Sequence, residues 1–473
     1  MDYFICTFIR TFGLGLNRIH RQYKHHTHYL HTLKGIKRLD HVKKRLVGRG
    51  VSIFLIAMLC FTSILIACAQ KTDNWPEFGG PHRDSMSNEK GLLQSWPAAG
   101  PRLLWKATGL GIGYSSISIV NGKFYTMGDL TDAQGAKHQY VSAFSMATHQ
   151  KLWSALVGPP NDDGSRCTPT IANGMAYAIG TNGDLVCLNA TTGKEIWRKN
   201  FAKNFGGKMM SMWKYSESPL VDGDKLICTP GANDAMMVAL NAKTGDLIWK
   251  CAVGNLGPNG ADGAGYSSAV VATIGGVRQY VQLVGRGLIG VDANTGKLLW
   301  NYNRIANNVA NIDTPIVQGD EIFDSTAYNG GSAKIQIVPQ NGGFTVKELW
   351  YLPGNIFQNH HGGVVLVIGY LYGGQGQNAG APTCIDWNTG KIVWQAPTVG
   401  GGSANVTYAD GDLYYLYENG VMALIQATPS GFQLKGRFQT PMMPGASWAH
   451  TVILDGKLYI RHADALFCYD IKA

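Results

Sequence analysis

Beyond residue 100 the chain is a succession of short apolar runs, each alternating in polarity and each stopped by a turn residue. One recurring unit is a hairpin: "IVNGKFYTMG", "IANGMAYAIG", "LVDGDKLICTPG", "YADGDLYYLY" and "ILDGKLYIR". Asn-Gly and Asp-Gly supply the positive φ that a tight hairpin turn needs. The other unit is "VDANTGKLLW" at 291–300, repeated as "LNATTGKEIW" (188–197), "LNAKTGDLIW" (240–249) and "IDWNTGKIVW" (385–394), with a worn copy "FSMATHQKLW" at 144–153. It reads as strand, turn, strand, with the second strand ending in Trp.

The tryptophans set the period. Trp105, Trp153, Trp197, Trp249, Trp300, Trp350 and Trp394 are 48, 44, 52, 51, 50 and 44 residues apart, and Phe438 follows 44 further on. A repeat of this length holds four strands, one propeller blade. Beyond residue 100 no amphipathic run is long enough for a helical repeat. Units ending at Trp153 through Phe438 make seven blades. The tail supplies a hairpin and a third strand, "ALFCYDI", but no outer strand. The one spare outer strand is "PRLLW" at 101–105. The expected fold is therefore all-β, an eight-bladed β-propeller of four-stranded antiparallel blades over 101–473, closed by strand 101–105 joining the C-terminal blade. WD40- and YVTN-type repeats build the same kind of architecture. The repeated tryptophans are expected to dock one blade against the next.

These repeats resemble those of the quinoprotein-type (PQQ-like repeat) propellers. That group includes the pyrroloquinoline-quinone (PQQ) alcohol dehydrogenases and the propeller lipoprotein of the outer-membrane β-barrel assembly machinery. The leader "NWPEFGGPHRDSMS" (74–87), "NHHGG" (359–363) and "SWAHTVILDGKLYIR" (447–461) are similar to PQQ-like propeller lipoproteins of environmental bacteria. The resemblance bears on fold far more than on chemistry.

Charge changes the picture in one place. Of 41 Lys/Arg and 31 Asp/Glu, residues 1–50 hold 11 and 2, so the remainder is nearly neutral and a nucleic-acid partner is not expected. Residues 1–50 form a basic leader, expected not to belong to the mature protein; residues 1–42 and their histidines fit a misassigned start. "KKRLVGRG" (43–50), the apolar run 51–67 and "LIAC" (65–68) read as a lipoprotein signal peptide with acylation at Cys68. An uncleaved membrane anchor is the alternative. Both place the propeller outside the cytoplasm. Ala69, in place of Asp, favours sorting to the outer membrane. Residues 69–100 read as a linker leading into the ring. Cys187, Cys384 and Cys468 fall at equivalent third-strand positions, too far apart to pair, and no disulfide framework is expected.

Chemistry is expected where segments enter the innermost strands and form a funnel. These are "GYSS" (113–116), "SRCTP" (165–169), "YSESP" (215–219), "GYSSA" (265–269), "NIDTP" (311–315), "NHHGG" (359–363), "GSANV" (402–406) and "SWAHT" (447–451). They gather Arg166, Glu217, Asp313, His360, His361, Asn405 and His450 as ligand or metal candidates, with Tyr114, Tyr215, Tyr266 and Trp448 as aromatic surface. The adjacent histidines are expected to face opposite ways, one of them bonded to backbone. In bland form these groups would simply bond to neighbouring backbone and channel water.

The reading is a lipid-anchored envelope propeller that binds or scaffolds, monomeric, meeting other envelope proteins through blade surfaces. The alternative, implied by the resemblance, is a PQQ-dependent oxidoreductase of an alcohol or sugar. There Ca²⁺ is held by Glu, Asn and Asp, and Glu217, Asn405 and Asp313 are the residues of those types. No adjacent Cys-Cys pair and no Cys-x-x-Cys-His is present.

Overall fold

The computed structural model describes residues 74–473; the basic leader, the apolar run and Cys68 lie outside the described residues. Alternating sequence and glycine turns fold into eight antiparallel sheets. Blade 1 is Ser118–Val120, Lys123–Thr131, Lys137–Ser145 and Lys151–Gly158, and blades 2 to 7 repeat this order. Blade 8 takes Val452–Leu454, Lys457–His462 and Ala465–Asp470 from the C-terminus and Arg102–Thr108 as its fourth strand. The closing strand is thus the predicted one, extended to Thr108. Arg461 reinforces the seam: it is buried and donates to the carbonyls of Ser115 (2.8 Å), Met127 (2.6 Å) and Gly111 (2.9 Å) in and before blade 1. The one helix longer than a turn among the described residues is Phe201–Phe205, capped by Asn200. No helix among them is long and apolar enough to cross a membrane.

A β-bulge interrupts the pairing of third and fourth strands in every blade. In all but blade 7 it falls on the residue before the tryptophan. Leu152, Ile196, Ile248 and Val393 are such residues and are turned outward, 39–48% exposed. A bulge re-aims the side chain that follows it. Here it lays the indole on the neighbouring blade. Trp197 Nε1 donates to Ala242 O (3.0 Å), Trp249 to Ala293 O (3.3 Å), Trp350 to Trp387 O (3.0 Å) and Trp394 to Thr428 O (2.8 Å). Trp300 differs, donating to Gln279 Oε1 of its own blade at 2.7 Å. Blade 5, its neighbour, has "QNGG" where blades 2, 3, 4 and 6 have Thr-Gly.

Cys187, Cys384 and Cys468 are buried on third strands, and all six described cysteines are free thiols.

The stretch before the ring is built into it. Trp75 exchanges backbone hydrogen bonds with Ile119 in blade 1 (2.8 and 2.7 Å), and Pro76 O accepts from Ile171 N of blade 2 at 2.8 Å. Met86–Ser87 then runs parallel to Ala404–Ala409 as a fifth strand on blade 7. Between them Arg83 reaches into the channel. It pairs with Glu77 at 2.6 Å and donates to the carbonyls of Ser218 (3.0 Å), Ala269 (3.1 Å) and Pro219 (2.5 Å). A buried guanidinium with these partners ties the leader to blades 3 and 4.

Candidate functional site: the central cavity

The remaining centre of the ring is a cavity of about 1070 Å³. Its lining runs from the segments before the inner strands (Tyr114, His360) to hairpin turns at their far ends (Gln318, Gly369). Of the residues singled out by sequence, Arg166, Asp313, His360, His361 and His450 line it, as do Tyr114, Tyr266 and Trp448.

Three do not. Glu217 is buried, its carboxylate accepting from Thr229 N (2.8 Å), Thr229 Oγ1 (2.9 Å) and Gln282 Nε2 (3.3 Å). Asn405 donates to Ala449 O at 3.3 Å, beneath the cavity wall. Tyr215 is core: it meets Phe201 edge-on and donates to Pro230 O at 2.8 Å.

Extended backbone explains the division. Successive side chains point to opposite sides. Tyr114, Arg166, Ser216, Tyr266 and Trp448 face the channel, and in blades 1 to 3 the next residue turns into its own blade. There it accepts the backbone N–H twelve residues on: Met127 N to Ser115 Oγ (3.1 Å), Ile179 N to Cys167 Sγ (3.3 Å), Thr229 N to Glu217 Oε2 (2.8 Å).

Blade 5 breaks this rule. The corresponding N–H, that of Ser325, donates to Asp324 Oδ1 at 2.8 Å. Asp313 therefore lacks the donor that Ser115, Cys167 and Glu217 have, and neither of its carboxylate oxygens finds a partner. Burial pushes the Asp313 carboxyl up to about 8, offset only weakly by the nearby Gly363 N–H. Asp324, fully buried, lies well above the carboxylate range for the same reason and because Asp313 is close. Asp324 escaped the sequence reading. An Asp beside two apolar residues in the middle of the second strand, "EIFDST", was the available signal.

The double histidine sits in a bend before its strand, so its rings do not face opposite ways. They lie 4.3 Å apart, and both reach the cavity. Neither ring is bonded to backbone. His360 bonds to Tyr328 OH and Ser403 Oγ, each at 2.9 Å, and His361 Nε2 is unpartnered. His450 Nε2 meets His361 O at 3.2 Å, leaving Nδ1 free. Burial lowers His360 and His450 to about 4 and His361 well below its usual value, so all three are neutral at pH 7. Trp448 Nε1 and Arg166 Nη1 are also unpartnered, though Arg166 Nη2 grips both oxygens of Asp163 at 2.6–2.8 Å.

Among the described residues no three His, Cys, Asp or Glu side chains are grouped to hold a metal. Glu217, Asn405 and Asp313 do not converge: two are turned away from the cavity and bonded elsewhere. The calcium set of a quinoprotein dehydrogenase does not fit these residues. Nor does PQQ, a tricarboxylate, find matching charge. Arg83 and Arg166 are paired with carboxylates, Arg278 with Asp222 at 2.7 Å, and the histidines are neutral.

The fold and this channel define an eight-bladed propeller of the PQQ-like type. A family model described as outer membrane protein assembly factor BamB matches residues 137–396, more than half of the chain, and the chain belongs to that family. BamB of Shewanella oneidensis is 26% identical over 202 residues, which are 40% of this chain and 46% of the relative. The dehydrogenase subunit of a quinone alcohol dehydrogenase from Acetobacter aceti is 27% identical over 262 residues, 49% of this chain and 32% of the relative. The chain thus spans less than half the length of these curated relatives. Among solved structures, BamB of Moraxella catarrhalis superposes with TM-score 0.53 at 13% identity, covering 78% of this chain and 99% of that one. Quinohemoprotein alcohol dehydrogenase of Comamonas testosteroni gives 0.60 at 14%, covering 87% and 82%. At these identities the structural likeness speaks for the fold alone.

Proposed function

We propose that this protein is a binding propeller of the bacterial envelope, lipid-anchored through Cys68 at the outer membrane, that holds a small polar ligand in its central cavity. Its blade surfaces are then free to meet other envelope proteins, in keeping with its BamB relatives, which are named outer membrane protein assembly factors. One observation carries the binding reading. Asp313, a buried carboxyl with no partner, lines the cavity together with His361, His450, Trp448 and Arg166, each of which also carries a buried atom without a partner. Each such atom left bare costs about 1–3 kcal/mol, so something polar must satisfy it. The cavity's charge and the missing calcium set speak against the oxidoreductase reading.

The test uses purified full-length protein in detergent. Native mass spectrometry and thermal melting against small polar compounds should reveal a ligand whose stabilising effect is lost in Asp313→Ala. Dye reduction above background with PQQ, Ca²⁺ and a panel of alcohols and aldoses would overturn this reading in favour of the dehydrogenase.

A further inference from the structure

We propose that the cavity's ligand is a short neutral oligosaccharide, stacked on the aromatic arc of Tyr114, Trp448, His361, His360 and Tyr328 and hydrogen-bonded by Asp313, Arg166 and Trp448. This rests on the reading of the cavity as a binding site and specifies its chemistry.

The arc is continuous. Ring centroids are 4.5 Å apart for Tyr114–Trp448, 4.9 Å for Trp448–His361, 4.3 Å for His361–His360 and 5.4 Å for His360–Tyr328. It joins blades 1, 8, 6 and 5 along one side of the channel. Neighbouring rings are tilted by 43–82°, so they offer separate faces and polar edges rather than one plane, and a single such face suits a pyranose, whose C–H face is apolar and whose rim is hydroxyl.

The unpartnered atoms are of mixed kind. Trp448 Nε1 and Arg166 Nη1 only donate; His450 Nδ1, whose Nε2–H is given to His361 O, only accepts; His361 Nε2 does either according to tautomer. Asp313, kept protonated near neutral pH by burial, both donates and accepts. A hydroxyl does the same, so a polyol matches such a set. An anion would leave the acceptors facing it, and a cation the donors.

Charge agrees. Arg83 lies 2.6 Å from Glu77 and Arg166 2.6 Å from Asp163, so the cavity's guanidiniums carry their own counter-charges. Size agrees as well: about 1070 Å³ is at the upper end for a pocket holding a drug-sized molecule, room for more than one sugar ring.

The experiment titrates the full-length protein with fragments of two to five units of β-1,4-glucan, α-1,4-glucan, β-1,4-mannan and β-1,4-xylan. Galacturonate oligomers, choline, spermidine and PQQ are included as charged probes. Calorimetry and tryptophan fluorescence are read. At least one neutral series should bind, tighten with length and change tryptophan emission. Trp448→Phe, which keeps a ring but removes the donor, should weaken binding, and Trp448→Ala should abolish it. Asp313→Asn, neutral and still able to donate and accept, should retain binding. Asp313→Ala should lose about tenfold or more, as for a buried hydrogen bond. Melting without ligand identifies any variant that fails to fold, and Trp448→Phe and Asp313→Asn cover that case. If a charged probe binds with this Trp448 and Asp313 dependence and no neutral sugar does, the oligosaccharide is overturned while the binding site stands. If no probe binds, both readings fall and water fills the cavity.

Discussion

Gly245 lies directly over the indole of Trp197, so close that a Cβ on the glycine would sit 2.7 Å from Trp197 Cδ2. The relationship recurs around the ring. Gly193 covers Trp153 at 2.6 Å, Gly296 covers Trp249 at 2.6 Å, and Gly390 covers Trp350 at 2.7 Å. The repeated Thr-Gly and the repeated Trp are two halves of one joint, contributed by neighbouring blades. Where blade 1 has lost the glycine, His149 takes the same left-handed conformation (φ 60°) and stacks on Trp105 with centroids 4.1 Å apart.

Gly245→Ala should therefore be far more damaging than the same substitution at an open turn glycine such as Gly223. It adds a methyl against a buried indole to the strain of φ +74°, whereas Gly223 (φ +61°) has nothing within 4 Å of a would-be Cβ. The expected loss is about 2–4 kcal/mol for Gly245→Ala and about 1 kcal/mol for Gly223→Ala. Thermal or urea denaturation of the two side by side checks it. Equal losses would mean the Trp–Gly contact is slack.

Removing Arg102–Thr108 should open the ring. The edge of Ala465–Asp470 would lose its antiparallel partner, and a bare edge templates aggregation. The shortened protein should melt lower and scatter light at concentrations where the intact chain stays clear. Unchanged melting would show that blade 8 holds with three strands.

Stability should fall as pH rises from about 6.5 to 8. A carboxyl whose folded value is raised contributes stability that is fully present below its unfolded value and lost as pH climbs through the folded one. Burial puts Glu217 at about 7 and Asp313 at about 8, so their contributions shrink progressively from about pH 4 upward and are gone by about pH 8. The histidines work the other way: His360 and His450, lowered to about 4, cost stability only as pH falls below about 6.5. Asp313→Asn should flatten the slope between pH 7 and 8 by about 1 kcal/mol per pH unit and stabilise the protein at pH 8. Denaturant midpoints across pH decide this, and identical slopes would mean Asp313 ionises at an ordinary pH.

Cys68→Ser should release the protein from membranes. Acyl chains contribute about 0.8 kcal/mol per buried methylene, and the near-neutral propeller has no basic surplus to hold it at an anionic surface. Fractionation after a salt wash reads the outcome. A variant that stays with the membrane would make residues 51–67 a spanning anchor.

Much of the fold was legible along the chain. Hairpin turns, alternating runs and evenly spaced tryptophans are local signals, written within a few residues of the structure they produce. The closing strand followed from counting outer strands. The bulge beside each tryptophan was not legible, because it depends on register between two strands and leaves no turn residue behind.

The sequence by itself determined eight blades, their closure, and the segments that surround the channel, since each rests on turn chemistry and period. Only the tertiary structure decided which side chains on those segments reach the cavity. Glu217 stands between the channel-lining Ser216 and Ser218, and one residue of strand parity turns it into its own blade. Tyr215 and Asn405 are likewise drawn onto neighbouring carbonyls. The bend at "NHHGG" cancels the alternation that would have separated His360 from His361. Asp313 is left without a partner by a competitor eleven residues away, Asp324, which takes the N–H whose counterparts Ser115, Cys167 and Glu217 receive in blades 1 to 3. Such outcomes turn on which donor meets which acceptor across strands, a competition settled only when the blades are packed.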